Sequence, residues 1–228
     1  MSRELLVQCV DVARTFGAGP RAVVAVHGAS CRVYAGDRIA VMGSSGSGKS
    51  TLLHLIAGLE PPTAGAVTWP GLDPDPLIRA RQVGVAFQGP SLLPSLDVVE
   101  NVAVPLLIAG NPLGSAWADA LAAVVSVGLE GVRGHLPEQL SGGQAQRVVI
   151  ARVLAARPPL ILADEPTGQL DAASGQRAVF SLIEVADQVG AALVVCTHDR
   201  EVAAAFPVRW EMDEGRLRTT EGHPAGVA

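Results

Sequence analysis

The segment GSSGSGKST, residues 43–51, constrains this chain more than any other stretch. It fits G-x-x-x-x-G-K-[ST] at Gly43, Gly48, Lys49 and Ser50. The flanks differ in character: DRIAVM (37–42) has the length and apolar content of a short buried strand, and TLLHLIAGL (51–59) reads as an apolar helix. A loop that must wrap a chain of phosphates needs glycines, because successive N–H groups converge on an anion only where the backbone can fold closely around it. The helix that follows adds the positive end of its dipole. A strand–loop–helix unit of an α/β fold is therefore expected. Gly43, Ser44, Ser45, Gly46, Ser47, Gly48, Lys49, Ser50 and Thr51 would surround the phosphates of a nucleoside triphosphate. In such loops the lysine reaches the β- and γ-phosphates and the hydroxyl after it ligates Mg2+, here Lys49 and Ser50.

Composition singles out the same lysine. Of 17 basic residues 16 are Arg, and Lys49 is the one Lys. Where arginine fills every other basic position, a retained ammonium marks a site that needs a compact point charge.

Three more apolar runs end in side chains suited to phosphate chemistry. LILAD (160–164) follows Pro158–Pro159 and reads as a buried parallel strand, which places Asp164 at the carboxyl edge where ligands of open α/β sheets collect. Asp164 suits the shell of Mg2+, and the adjacent Glu165 can orient or deprotonate an attacking water. AALVVCTHD (191–199) is a second such strand, with His198 able to contact a γ-phosphate, although a lone histidine after a strand is more often structural. VGVAF (83–87) is a third, followed by Gln88, an amide able to touch Mg2+ or water and equally an ordinary turn residue. A second helix start appears at LSGGQ (140–144), with Ser141 as a natural cap and Gly142–Gly143 exposing amides. A capped, Gly-rich helix start is equally an ordinary loop-to-helix junction; beside a phosphate loop it reads as a second anion reader, whose natural target is a γ-phosphate held by another copy.

Composition excludes several classes. The chain has 228 residues, 49% apolar and 17% charged, with a net charge of −5 and no basic block, so nucleic acid is not expected as a partner. No apolar run is long enough to cross a bilayer, and MSRELLVQCV, with Glu4 and Gln8, makes a poor signal peptide. Cys9, Cys31 and Cys196 are scattered, which points to buried or semi-buried thiols of a reducing cytosol and to neither disulfides nor a metal site. The expected organisation is a core lobe at 1–88 and 157–228, with N-terminal strands in a separate antiparallel layer around the base. A helical lobe at 89–156 carries the LSGGQ helix.

GSSGSGKST, the glutamine in AFQ, LSGGQ, LILADEP, the TGQLD segment and THD occur in the order found in ABC transporter nucleotide-binding subunits, which the chain resembles over nearly its whole length. The resemblance implies a P-loop NTPase fold and an ATPase coupled to transport, with ATP and Mg2+ bound. Two copies would pair head to tail, with Ser141, Gly142, Gly143 and Gln144 of one copy facing the ATP of the other. It also implies roles by position. Gln88 couples Mg2+ to a separate transmembrane permease subunit. Ser50, Gln88 and Asp164 serve the metal, Glu165 is the catalytic base, and His198 is the switch. Asp171 lies in the loop at the dimer seam, and Phe16 stacks on adenine where a Tyr is more usual. Such a subunit sits on the cytoplasmic face of the cell membrane. SSGSGKSTLLHLIAGLEPPTAG, SLLPSLDVVENVAVPLL, LADEPTGQLD and EMDEGRL resemble the lipoprotein-releasing, macrolide-exporter and cell-division group. Its members either extract or export a substrate, or regulate a membrane partner without transport. Two features depart from that group: the short, Pro-rich stretch between Gly65 and Val83, and Gln169 where Asn is commoner.

Overall fold

The computed structural model describes residues 3–87, 89, 91–168 and 172–219. Gln88 and Asp171 lie outside them. The chain packs as two compact units, residues 1–80 with 192–228 and residues 81–191.

The first unit holds two sheets. In one, β1 (Leu5–Phe16) lies between β2 (Val23–Tyr34) and β4 (Ala64–Thr68), antiparallel to both. This is the N-terminal antiparallel layer expected from the sequence. In the other, β3 (Arg38–Met42) runs parallel to β7 (Ala192–Thr197) on one side and β8 (Val208–Asp213) on the other. A last strand, β9 (Arg216–Thr219), pairs antiparallel with β8. The middle of β3 is buried at Ile39, Ala40 and Val41, and all six residues of β7 are buried. Both strands are thus near-continuous apolar runs, as strands covered on both faces must be. Helix α1 (Lys49–Ala57) buries Leu52, Leu53, Leu55 and Ile56 and ends at Gly58, whose φ of 74° closes the helix in the left-handed region.

The second unit contains the parallel pair β5 (Val83–Ala86) and β6 (Leu160–Asp164) with helices α3 (Val98–Ile108), α4 (Leu113–Ser126), α5 (Gly142–Ala156) and α6 (Ala172–Val189). Every residue of β6 is buried. Sequestering Leu160, Ile161 and Leu162 is worth about 1.5–3 kcal/mol each. Two short α-helices, α2 (Pro76–Gln82) and α7 (Arg200–Ala204), and single turns of 3-10 helix at Gly19–Arg21, Glu130–Val132 and Pro137–Gln139 complete the described elements. Among the described residues no helix is long and apolar enough to cross a membrane.

Cys9, Cys31 and Cys196 are all buried. Cys9 and Cys31 face each other across β1 and β2, a juxtaposition their sequence spacing hides. The hydrogen bond to Cys9, then burial, holds the Cys31 thiol well above its ordinary range.

Candidate nucleotide site

The phosphate loop leaves β3 at Gly43 and enters α1 at Lys49. Its shape depends on glycines for steric reasons. A Cβ on Gly43 would sit 2.2 Å from the Met212 carbonyl oxygen, and one on Gly48, at φ 101°, would sit 2.2 Å from the Ala25 carbonyl oxygen. Neither obstacle is a side chain that could swing away. The turn between β8 and β9 fixes the loop from outside: Gly215 N donates to Ser47 O at 2.9 Å, and Gly215 O accepts from His27 N at 2.8 Å. Inside it, Lys49 is 5% exposed, and its Nζ donates to Gly43 O at 2.9 Å and Ser44 O at 3.0 Å. An ammonium and a helix start therefore share one small concavity, an anion site by construction. Ser44, Ser45 and Gly46 form its exposed rim, Ser47 is buried, and Ser50 and Thr51, half-buried, open the helix.

His198 leaves the same edge. Met42 and Thr197 are partners across β3 and β7, so the loop starting at Gly43 and the turn bearing His198 diverge from neighbouring strand ends. Thr197 is fully buried and its Oγ1 accepts from Asp199 N at 3.0 Å. Asp199 in turn caps α7, accepting from Glu201 N and Val202 N. These two side chains set the turn and leave His198 exposed. Phe16 ends β1 and is 40% exposed, as a ring offered for stacking must be.

In the second unit, β6 ends at Asp164, a carboxylate 5% exposed. Glu165 follows at 9% exposure with φ 46°, a left-handed conformation that costs a side-chain-bearing residue about 1–3 kcal/mol. The positive φ at Glu165 interrupts the extended backbone between two adjacent acids. Helix α5 starts at Ser141 in a reciprocal cap: Ser141 Oγ accepts from Gln144 N at 3.2 Å, and Gln144 Oε1 accepts from Ser141 N at 2.8 Å. Gln144 thus stiffens the LSGGQ turn from within. Ser141 Oγ acts as an acceptor in this cap, so the hydroxyl retains its own donor, beside the exposed Gly142 and half-buried Gly143.

Two residues that the motifs do not contain complete this unit. Asn101, inside α3 and fully buried, accepts from Leu93 N through Oδ1 at 2.8 Å and donates through Nδ2 to the carbonyls of Leu93, Leu96 and Asp97. Arg152 of α5 donates to Asn101 O, Asn101 Oδ1 and Ser91 O, and burial lowers its pKa. The signature helix and the loop at 91–96 are therefore tied together by side chains. The available signal was a single amide in the apolar helix VVENVAVPLLI, a position that must be hydrogen-bonded when buried.

A phosphate loop with its lysine, an acid-terminated parallel strand and a histidine turn define a nucleoside-triphosphate hydrolase of the P-loop class. The ABC transporter family model matches residues 26–168. The lipoprotein-releasing system ATP-binding protein LolD of Shewanella denitrificans is 44% identical over 220 residues, 93% of this chain and 94% of its own. The protein of that name from Pseudomonas fluorescens is 38% identical, over 95% of this chain and 99% of its own. Among solved structures, the ATP-binding cassette MJ0796, as a dimer in a post-hydrolysis state with ADP and Pi, superposes with a TM-score of 0.85. It is 34% identical and covers 96% of this chain and all of its own. The chain belongs to the ABC transporter family: it is an ATP-hydrolysing subunit that energises a membrane transport complex.

Proposed function

We propose that this ATPase drives the release of lipoproteins from a membrane, working as a head-to-tail dimer beneath a separate transmembrane permease subunit. The observation that carries this reading is similarity to lipoprotein-releasing ATPases along nearly the full length of both chains. The protein would sit on the cytoplasmic face of the cell membrane. ATP's phosphates rest on the amides of residues 43–51 and on Lys49, and its adenine on Phe16. The Ser141 hydroxyl and the Gly142–Gly143 amides of the second copy approach the γ-phosphate, so ATP closes the dimer and hydrolysis opens it. Glu165 takes the proton of the attacking water, and His198 senses the γ-phosphate. Ser50 and Asp164, with Gln88, would hold Mg2+: a hydroxyl, a carboxylate and an amide are hard oxygen donors of the kind that leave room for phosphates and water. When bound, the ion neutralises charge on the β- and γ-phosphate oxygens. Asp171 lies at the dimer seam.

In this reading the permease docks on the helical lobe, 89–156, with Leu93 among the apolar residues that receive it. Leu93 is 45% exposed while its backbone is gripped by Asn101. Replacing an exposed apolar contact should harm docking alone. Leu93→Asp is expected to bind ATP like the parent and to lose the permease from the detergent-solubilised complex; loss of ATP binding would show that Leu93 is structural. The function itself is tested by purifying Glu165→Gln from its native cell with ATP in mild detergent. Co-purification of a membrane protein with few spans and a large extracytoplasmic domain, together with lipoprotein, supports the reading. Recovery of ribosomal or DNA-repair proteins alone would end it.

A further inference from the structure

The strand that carries Phe16 also carries Arg14, two residues earlier, where the pairing with β2 is irregular. The Arg14 guanidinium carbon lies 4.7 Å from the centroid of the Phe16 ring, over its face. Its Nη2 donates to Glu60 Oε2 at 2.6 Å, and the two side chains are only 20% and 31% exposed. Glu60 follows α1, the helix that begins at Lys49, and its N donates to His54 O at 3.3 Å. Thr63 braces the same strand end: its N and Oγ1 both donate to Ala13 O, and its Oγ1 accepts from Thr15 N.

We propose that Arg14 is a positioning and specificity residue of the base site, stacked on one face of Phe16 so that the other face is committed to the purine. The inference rests on the reading of Phe16 as the side chain that stacks on adenine. A phenylalanine has no hydroxyl by which a hydrogen bond could fix its ring, so orientation must come from stacking. A planar guanidinium supplies that, because it lies flat on aromatic faces and is held in plane by a carboxylate. The cation on the far face also draws electron density from the ring, which favours stacking with a large, electron-rich base. Glu60 makes the arrangement more than local: through it, the base platform is tied to the residues that end the phosphate-loop helix. Arg14 and Glu60 touch no reacting atom, so their effect belongs in nucleotide affinity and selectivity and not in the chemical step.

The test is titration calorimetry on the full chain with ATP, CTP and inorganic tripolyphosphate, which carries charge without a base. Arg14→Met keeps the apolar stem and removes the cation. It is expected to weaken ATP binding ~3- to 10-fold, to weaken CTP binding less, and to leave tripolyphosphate binding unchanged. The double variant with Phe16→Ala should bind ATP no worse than Phe16→Ala alone, because the arginine acts through the ring. If Phe16→Ala itself leaves ATP affinity intact, the base-stacking reading fails and the inference with it. If Phe16→Ala weakens ATP but Arg14→Met does not, the inference alone fails. Tighter ATP binding by Arg14→Met would mean that the guanidinium competes with adenine for one face, and it too overturns the inference. Equal losses for ATP and tripolyphosphate would assign Arg14 a purely structural role.

Discussion

Glu165→Gln should bind ATP as tightly as the parent and hydrolyse it ~10²–10⁴-fold more slowly, the range that removal of a general base produces. The substitution is nearly isosteric, so the backbone kink at φ 46° and the packing around a side chain only 9% exposed are retained. What disappears is a carboxylate able to accept a proton. A strained left-handed conformation at a glutamate, directly after a strand with every residue buried, persists only where the surroundings over-determine it. That conformation falls at the first residue after the strand that ends in Asp164. With hydrolysis blocked and binding intact, the ATP-closed dimer should accumulate and elute as a dimer in size-exclusion chromatography with ATP. Single-turnover hydrolysis within threefold of the parent would remove Glu165 from the role of base.

The parts of this molecule legible in its sequence are those whose side chains are buried on both faces or repeat a local geometry. LILAD reads as a strand because all five residues are buried, and β6 has those same bounds. The phosphate loop is legible because the requirement for glycine at residues 43 and 48 is set by backbone oxygens, and no other residue type meets it. The stretch after Gly65 was legible only as short and Pro-rich. It contains the end of β4, whose residues are mostly exposed, and α2, which buries none. Strand β4 is defined by pairing with β1, as in Gln8↔Thr68, across a separation that no local pattern records. In the same way Asn101 and Arg152 belong to no motif, since their roles arise from helix packing between α3 and α5. Gln144 lies between these cases. The S-x-x-Q spacing is a local capping signal, but its consequence, a stiff turn closed from both sides, emerges only from the two hydrogen bonds.

The lone lysine supplies the sharpest contrast between charge and shape. Lys49→Arg keeps the charge and makes this basic residue the same as the other 16, yet it should lose ATP binding nearly as completely as Lys49→Met. Nζ sits 2.9 and 3.0 Å from two carbonyls of the loop itself, close contacts that suit a compact ammonium. The loop cannot widen to admit a planar fork, because the backbone at Gly43 and Gly48 already lies against the carbonyls of Met212 and Ala25. A guanidinium must then point out of the loop or displace the phosphates it should hold. Two charge-assisted hydrogen bonds to phosphate, at about 1.5–3 kcal/mol each, correspond to a loss of ~10²–10⁴ in affinity. Calorimetric titration of both variants with ATP, beside thermal melting to show that each is folded, measures this directly. Binding by Lys49→Arg within tenfold of the parent would mean that charge alone suffices and that the lysine survives by accident of composition. Loss in both variants would mean that the loop selects a side chain by its width, which is why the chain keeps one lysine.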